Sequence, residues 1–433
     1  MNFTRELIEG TALYENIPPA DTAGNALVIL NGHHFDKPSS FGLSESILSR
    51  HVLLIGSTGT GKTNLFYHIV RQLKVKMTSS DVMMIFDSKG DFYEKFYDPA
   101  KDIIIGNSAS YRKDSERWSI HNEIIADGRG DVSISQNVRE ICKSFFASRM
   151  EHHNNPFFPA AASDLLGALM ISFIRQGLKF TNYDLKYALD TMTAKDFHDT
   201  FSAYKDLQTI STYIDPRAAA QSQGVLSEMY STMRDILTGI FGEAGDFSMR
   251  RFIRAKQGRT VFLEYDLAIG DVLAPVYSLL FDLALKEALG RTKSQGNVYM
   301  IADELKLLPR LQHLDDGINF GRSLGLKILA GLQSIKQLYA IYDKEAQAQN
   351  AIAGFSTVAA FRSSDPNTRE YVSGMFGKNV VIERLEHADG TAEYKRQDGF
   401  VVEDWDINSL RLGEAVVGLP EVPPFKFRFK KYI

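Results

Sequence analysis

Cysteine is almost missing from this chain: Cys142 stands alone among 433 residues. No intramolecular disulfide can form, so the fold must rest on its apolar core, and a reducing compartment suits it. Cys142 falls in an apolar-periodic stretch with Val138, Ile141 and Phe145, which marks it as a small core residue. Neither sign of charge dominates, the net being −4. That removes the global basic signal of many nucleic-acid binders, so any such contact must come from local positive charge. Long hydrophobic runs are scarce too. Val272 to Leu289 is broken by Pro275, Asp282, Lys286 and Glu287, and Leu165 to Ile174 is about half the roughly 20 residues a membrane span needs. The first residues are mixed and acidic rather than basic then apolar, which does not read as a secretory signal. The expectation from these absences is a cytoplasmic protein. Low-complexity tracts and internal repeats are also missing. Adjacent His33 and His34 would point to opposite faces of an extended segment, which argues against a metal site there.

What is present is a globular supply of residues, 44% hydrophobic and 24% charged, over a length that suggests about two or three domains. Residues 56 to 63 read Gly56-Ser57-Thr58-Gly59-Thr60-Gly61-Lys62-Thr63, a complete G-x-x-x-x-G-K-[ST] phosphate-binding loop. It follows the apolar run Val52 to Ile55 and precedes a helix-like segment from Asn64 to Lys74. The context matters because the loop works only between a strand end and a helix start. Its glycines let successive N–H groups curl toward phosphate oxygens, and the positive end of the helix dipole adds to that field. Lys62 is expected to reach the β and γ phosphates of ATP, and the Thr63 hydroxyl to ligate Mg²⁺.

Downstream, Asp81 to Phe86 and Asp102 to Ile105 read as short buried strands. Strand signals return at Thr260 to Tyr265, Asn297 to Ala302, Leu326 to Gly331, Ser356 to Phe361 and near Asn379 to Ile382. Buried strands alternating with helices predict an α/β fold with a mostly parallel sheet. Between about 133 and 245 helical periodicity takes over, with polar helix starts at Ser133 (Gln136 three residues on), Thr181 and Thr193. This divides the chain into residues 1–132, the first part of the nucleotide-binding domain; 133–245, an inserted all-α domain; and 246–433, its second part.

The strand Val298 to Ala302 delivers two acids, Asp303 and Glu304. Placed after an intact phosphate loop this is a Walker B arrangement, the first acid holding Mg²⁺ and the second orienting or deprotonating the attacking water. Gln333 follows the next buried strand, where a polar side chain can sense the γ-phosphate. Arg322, in Gly321-Arg322-Ser323-Leu324-Gly325, reads equally well as a positive group for phosphoryl transfer or as a surface arginine in an ordinary ion pair.

With these residues in hand the chain resembles the type IV secretion coupling proteins, conjugative DNA-transfer ATPases of the FtsK/HerA superfamily. The resemblance rests on His51 to Thr63, Ile85 to Asp91, Trp118, Asn155 to Leu166, Ala302 to Glu304, Gly321 to Gly325, Gln333 to Leu338, Leu410 to Ala415 and Pro423 to Phe425, and it covers about residues 48 to 430. It implies a RecA-like P-loop NTPase domain with an inserted all-α domain, six subunits to a ring, and ATP with Mg²⁺ as cofactors. It also places the family's trans-acting arginine on Arg322, 18 residues after Glu304, and its motif glutamine on Gln333. Family members typically begin with two membrane-spanning helices; residues 1 to 50 are too short and polar for them, which leaves two readings open: a membrane-free member that docks through a separate anchor at the inner face of the membrane, or a relative that has left secretion altogether.

The function implied is an ATP-driven motor moving DNA, expected to be single-stranded, with a relaxase or other secretion cargo and type IV secretion components as partners. Two alternatives stay open, a recruitment hub for protein cargo and a HerA-like double-stranded DNA translocase in repair or segregation. Arg250-Arg251-Phe252-Ile253-Arg254-Ala255-Lys256 is either a DNA-facing element or a solvated helix face.

Overall fold

The computed structural model describes residues 2–14, 25–152, 154–290, 295–309, 311–339, 342, 345–386 and 392–433. The chain forms two compact units, one of Met1–Asp81, Arg291–Lys306 and Leu314–Ile433, the other of Val82–Gly290 and Leu307–His313.

In the first unit the strands lie in the order Lys37–Ser44, Ala26–His34, Val422–Phe429, Glu414–Leu419, Thr357–Phe361, Val52–Ile55, Leu326–Leu332 and Val298–Ala302. The last four run parallel to one another, and the others join antiparallel. Every residue of those four parallel strands is buried, which is why their sequences read as continuous apolar runs rather than alternations. Asn2–Glu9, Lys378–Glu386 and Ala392–Phe400 make a separate antiparallel sheet of three strands.

His51 enters the strand Val52–Ile55 from the left-handed region, at φ 59°. Its ring is buried: Nδ1 accepts the Ile328 N–H at 3.0 Å, which leaves the proton on Nε2 to donate to the Ile318 carbonyl at 3.1 Å. Burial is the main cause that lowers its pKa to about 4, with the nearby Lys327 charge acting the same way.

The second unit has three parallel strands in the order Val82–Asp87, Arg259–Glu264 and Ile103–Ile105. The same unit holds the helices Asp131–His152, Phe157–Arg175, Asn182–Thr191, Ala194–Ser202, Ala219–Ile236 and Gly270–Leu289, which pack on one another. Capping boxes start two of these, with Thr181 and Asp184 at one and Thr193 and Asp196 at the other. The expected start at Ser133 is displaced: that helix begins at Asp131, so Ser133 lies inside its first turn. Cys142 is buried as expected, and burial pushes its thiol pKa up.

The apolar run at Leu165 to Ile174 is part of a helix of 19 residues, Phe157–Arg175, because Phe157 to Ala162 continue it toward the N-terminus. It is long and apolar enough to cross a membrane, which corrects the shorter reading. Yet 67% of its most apolar window is buried inside the protein, against Asp131–His152 and Ala219–Ile236. The same composition therefore serves as a core helix.

Candidate functional site

The strand Val52–Ile55 ends at the phosphate loop, and the helix Lys62–Lys76 begins where the loop closes. Gly56, Gly59 and Gly61 all take positive φ. Gly61 shows why a side chain is excluded: at φ 119° a Cβ would lie 2.9 Å from Gly413 Cα. Backbone groups brace the loop from outside. Gly56 N–H donates to Leu332 O at 3.1 Å, Ser57 N–H to Arg362 O at 2.9 Å, and Gly413 N–H to Thr60 O at 2.9 Å. Lys62 is buried, its ammonium donating to Gly56 O at 2.6 Å and Ser57 O at 3.1 Å. Thr60 Oγ1 donates to Ser57 O at 2.7 Å, which tightens the same turn.

The two acids arrive from Val298–Ala302, separated from the loop strand by Leu326–Leu332. In register Ala302 faces Ala330 and Ile55 faces Leu332, so both strands release their functional residues at the same edge of the sheet. Brought there, Thr63 Oγ1 donates to Asp303 Oδ2 at 3.0 Å. The intervening strand ends in Gln333, whose amide donates to Glu304 Oε2 at 2.6 Å. Gly331 makes that possible, because a Cβ there would lie 2.0 Å from the Asp303 carbonyl oxygen. Burial raises the Glu304 pKa, with Asp303 adding to the shift and Gln333, Lys306 and Lys62 opposing it. Glu304 Oε1 is buried with no hydrogen-bond partner among the described residues. An orphaned carboxylate oxygen beside a Thr–Asp pair suits a site completed by a hydrated cation and a phosphate.

The profile of the family described as the type IV secretion-system coupling protein DNA-binding domain matches residues 39–410. The chain belongs to that family. It is 21% identical to coupling protein TraD of Escherichia coli (strain K12) over 381 residues, 85% of this chain and 49% of TraD. It thus spans about half the length of the curated relative it matches. The bacterial conjugative coupling protein TrwBdeltaN70 superposes with a TM-score of 0.77 at 22% identity, covering 100% of this chain and 95% of its own. VirB4 of Thermoanaerobacter pseudethanolicus superposes with a TM-score of 0.59 at 11% identity, covering 96% and 98%. At these identities the two structures establish the fold: a RecA-like α/β NTPase architecture carrying a helical domain.

Within this family fold, Lys62, Thr63, Asp303, Glu304 and Gln333 meet at one edge of the sheet, and Arg322 does not join them. It lies exposed on the turn Gly321–Leu324, which precedes Leu326–Leu332 and so sits at the opposite edge. Among the described residues it has no ion-pair or hydrogen-bond partner, which removes the ordinary ion-pair reading within the chain. Sequence reasoning missed the turn after Thr357–Phe361, where Arg362 O holds Ser57 N–H and Ser364 Oγ lies 3.2 Å from Ser57 Oγ. Arg369 fixes that turn by donating to Ser363 O at 3.1 Å and Ser364 O at 3.0 Å.

The basic run from Arg250 to Lys256 does not act as one element. Arg250 is 1% exposed and sits among Glu123, Asp127, Glu140 and Glu287, with Asp127 at 3.2 Å and Glu287 at 3.6 Å. Arg254 pairs with Asp127 and Glu287 at 2.5 and 2.6 Å. Arg250 is thus a buried structural cation, and Arg254 is an exposed one tied to two of the same acids. Arg251 is exposed and, among the described residues, has no acid partner, whereas Arg254 is exposed but paired.

Proposed function

We propose that the protein is an ATP-hydrolysing DNA translocase that delivers DNA, or relaxase-bound DNA, to a type IV secretion channel in conjugation. The observation that carries this is the convergence of Thr63 on Asp303 and of Gln333 on Glu304 beside the phosphate loop, in a chain of the coupling-protein family. TrwB, which shares the fold, has been captured with ADP and Mg²⁺ and with a non-hydrolysable ATP analogue.

In this reading the loop N–H groups of Thr58, Gly59, Thr60 and Gly61 cradle the phosphates, while those of Gly56 and Ser57 anchor the loop to the Leu332 and Arg362 carbonyls. Lys62 leaves the Gly56 and Ser57 carbonyls for the β and γ phosphate oxygens. Thr63 and Asp303 are the residues that would hold Mg²⁺; a bound ion neutralises charge developing on the phosphoryl oxygens. Glu304 takes the proton of the attacking water, and its raised pKa makes it a better base. Gln333, bonded to that base, registers whether the γ-phosphate is present. Arg322 cannot serve its own loop, since the 7 residues of Leu326–Leu332 span about 20 Å at roughly 3.3 Å each. It serves a neighbour's, which requires a head-to-tail ring, of six subunits in this family reading. Residues 133–245 act as a separate helical domain. The protein works on the cytoplasmic side of the membrane.

The test is ATP turnover with and without single-stranded and duplex DNA, together with mass measurement in the presence of nucleotide. Stimulation by single strands and a nucleotide-dependent hexamer are expected. Turnover indifferent to DNA would favour the recruitment hub, and stimulation by duplex alone the HerA-like translocase.

A further inference from the structure

His121 has both ring nitrogens buried with no hydrogen-bond partner among the described residues, although the residue is only 4% exposed. Buried imidazole nitrogens nearly always find a partner, so this one calls for an explanation. Its surroundings give one. Burial lowers the His121 pKa, and the charges that lower it further are all positive: Arg129, Arg251 and Lys179. Those three side chains are exposed, and none has a carboxylate partner among the described residues. Three segments bring them together. Lys179 precedes Phe180, whose ring edge stands on His121 with centroids 5.0 Å apart. Arg251 follows Met249 and Arg250, whose backbone N–H groups donate to Glu123, two residues from His121. Arg129 follows the turn Ile125–Asp127 that leaves the His121 helix. Elsewhere in this unit arginines are matched by acids, as Arg250, Arg254, Arg117 and Arg175 show. Unmatched cations around an orphaned imidazole fit an anion that the chain itself does not supply.

A row of exposed aromatics adjoins this patch. Asn182 anchors the start of the helix Asn182–Thr191 by accepting the Ile120 N–H at 2.9 Å and donating to Trp118 O at 2.8 Å. On that helix Tyr183 and Tyr187, 59% and 62% exposed, stand one turn apart on the same face. Phosphates on cations beside bases on aromatic rings is how single strands are held without sequence readout.

We propose that Arg129, Lys179 and Arg251, with His121 behind them and Tyr183 and Tyr187 beside them, form a binding site for single-stranded DNA on the helical unit. The proposal rests on the DNA-translocase reading and names where that function grips its substrate. The test measures anisotropy of a fluorescein-labelled oligothymidylate with the full chain over a series of salt concentrations. Three proteins are compared: wild type, the triple variant Arg129→Ala, Lys179→Ala, Arg251→Ala, and a control with the same charge removed at Lys143, Lys195 and Lys205. The triple variant should bind about tenfold more weakly or worse. Its log–log salt slope should be shallower by about 2, at roughly 0.7 for each phosphate that is no longer neutralised. The control should keep the wild-type slope. Tyr183→Ala with Tyr187→Ala should weaken binding about tenfold without changing the slope. An unfolding midpoint within the wild-type range shows that these surface variants fold. Wild-type binding that is equally strong in the triple variant, or abolished equally in the control, overturns this site while leaving the translocase reading intact. No binding by wild type at any salt overturns the DNA reading itself.

Discussion

The side-chain amide of Gln333 donates to Glu304 Oε2 over 2.6 Å, while the other oxygen of that carboxylate is buried without a partner among the described residues. A carboxylate held on one side and unpartnered on the other is poised to accept a hydrogen bond from a group that arrives beside the phosphate loop.

Glu304→Gln keeps the shape and the bond to Gln333 but removes the base. ATP binding should persist while steady-state turnover falls by about 10²-fold or more. Asp303→Asn, which spoils the group bonded to Thr63, should weaken Mg²⁺-dependent nucleotide binding. If the Glu304 variant turned over normally and the Asp303 variant lost turnover without losing binding, the two acid roles would be exchanged.

Arg322→Ala should bind nucleotide like wild type and lose roughly 10³-fold in turnover. Lys62→Ala should lose binding or turnover on its own. Mixing the two proteins creates interfaces where one subunit's intact loop meets another's intact arginine, so activity should return in the mixture. A deep single defect with no rescue would contradict the trans placement.

Arg250→Met removes a buried cation that faces the fully buried Glu123 and three other acids, so it should cost about 3–5 kcal/mol in urea unfolding. Oligonucleotide affinity should stay at the wild-type level in whatever fraction is folded. A stable variant with weakened DNA binding would return Arg250 to the role its sequence neighbourhood first suggested.

Burial lowers the His51 pKa from 6.5 unfolded to about 4 folded. The unfolded chain therefore binds the extra proton in that interval. The stability tied to His51 is fully present above pH 6.5 and is lost as pH falls toward 4, by up to about 3 kcal/mol at 1.36 kcal/mol per unit. His51→Asn tolerates the left-handed φ and cannot titrate. Chemical unfolding of both proteins across that range should show wild type losing its margin over the variant on acidification. Parallel curves would mean that His51 titrates alike in both states.

What was legible in the sequence was chemistry carried by neighbours along the chain. Gly56 to Thr63 are contiguous, Asp303 and Glu304 are adjacent, and each follows an apolar run that could only be a buried strand. What was not legible depends on the order of strands in the sheet. Nothing in the residues says that Leu326–Leu332 lies between the loop strand and the acid strand, and that placement is what carries Gln333 to Glu304. The same holds for Gly413 against Gly61 and for the Arg362 carbonyl on Ser57. The basic run failed for another reason. Successive helix residues point about 100° apart, as 3.6 residues per turn requires. The acids that claim Arg250 and Arg254 come from four other places in the chain, so sequence alone could not separate those two from Arg251.

Gln333 and Arg322 stand at opposite ends of one strand, and that strand is flanked by hydrogen-bonded partners along its length. A β-strand held on both sides hardly bends or stretches; it can only shift or tilt as a rod. His51 grips the near end of this rod at Ile328 and also holds Ile318, just ahead of the Arg322 turn. In a ring built from this fold, loss of the γ-phosphate felt at one end would move the arginine offered to the next subunit at the other. Firing order around the ring would then be a mechanical property of a single strand, with no separate relay.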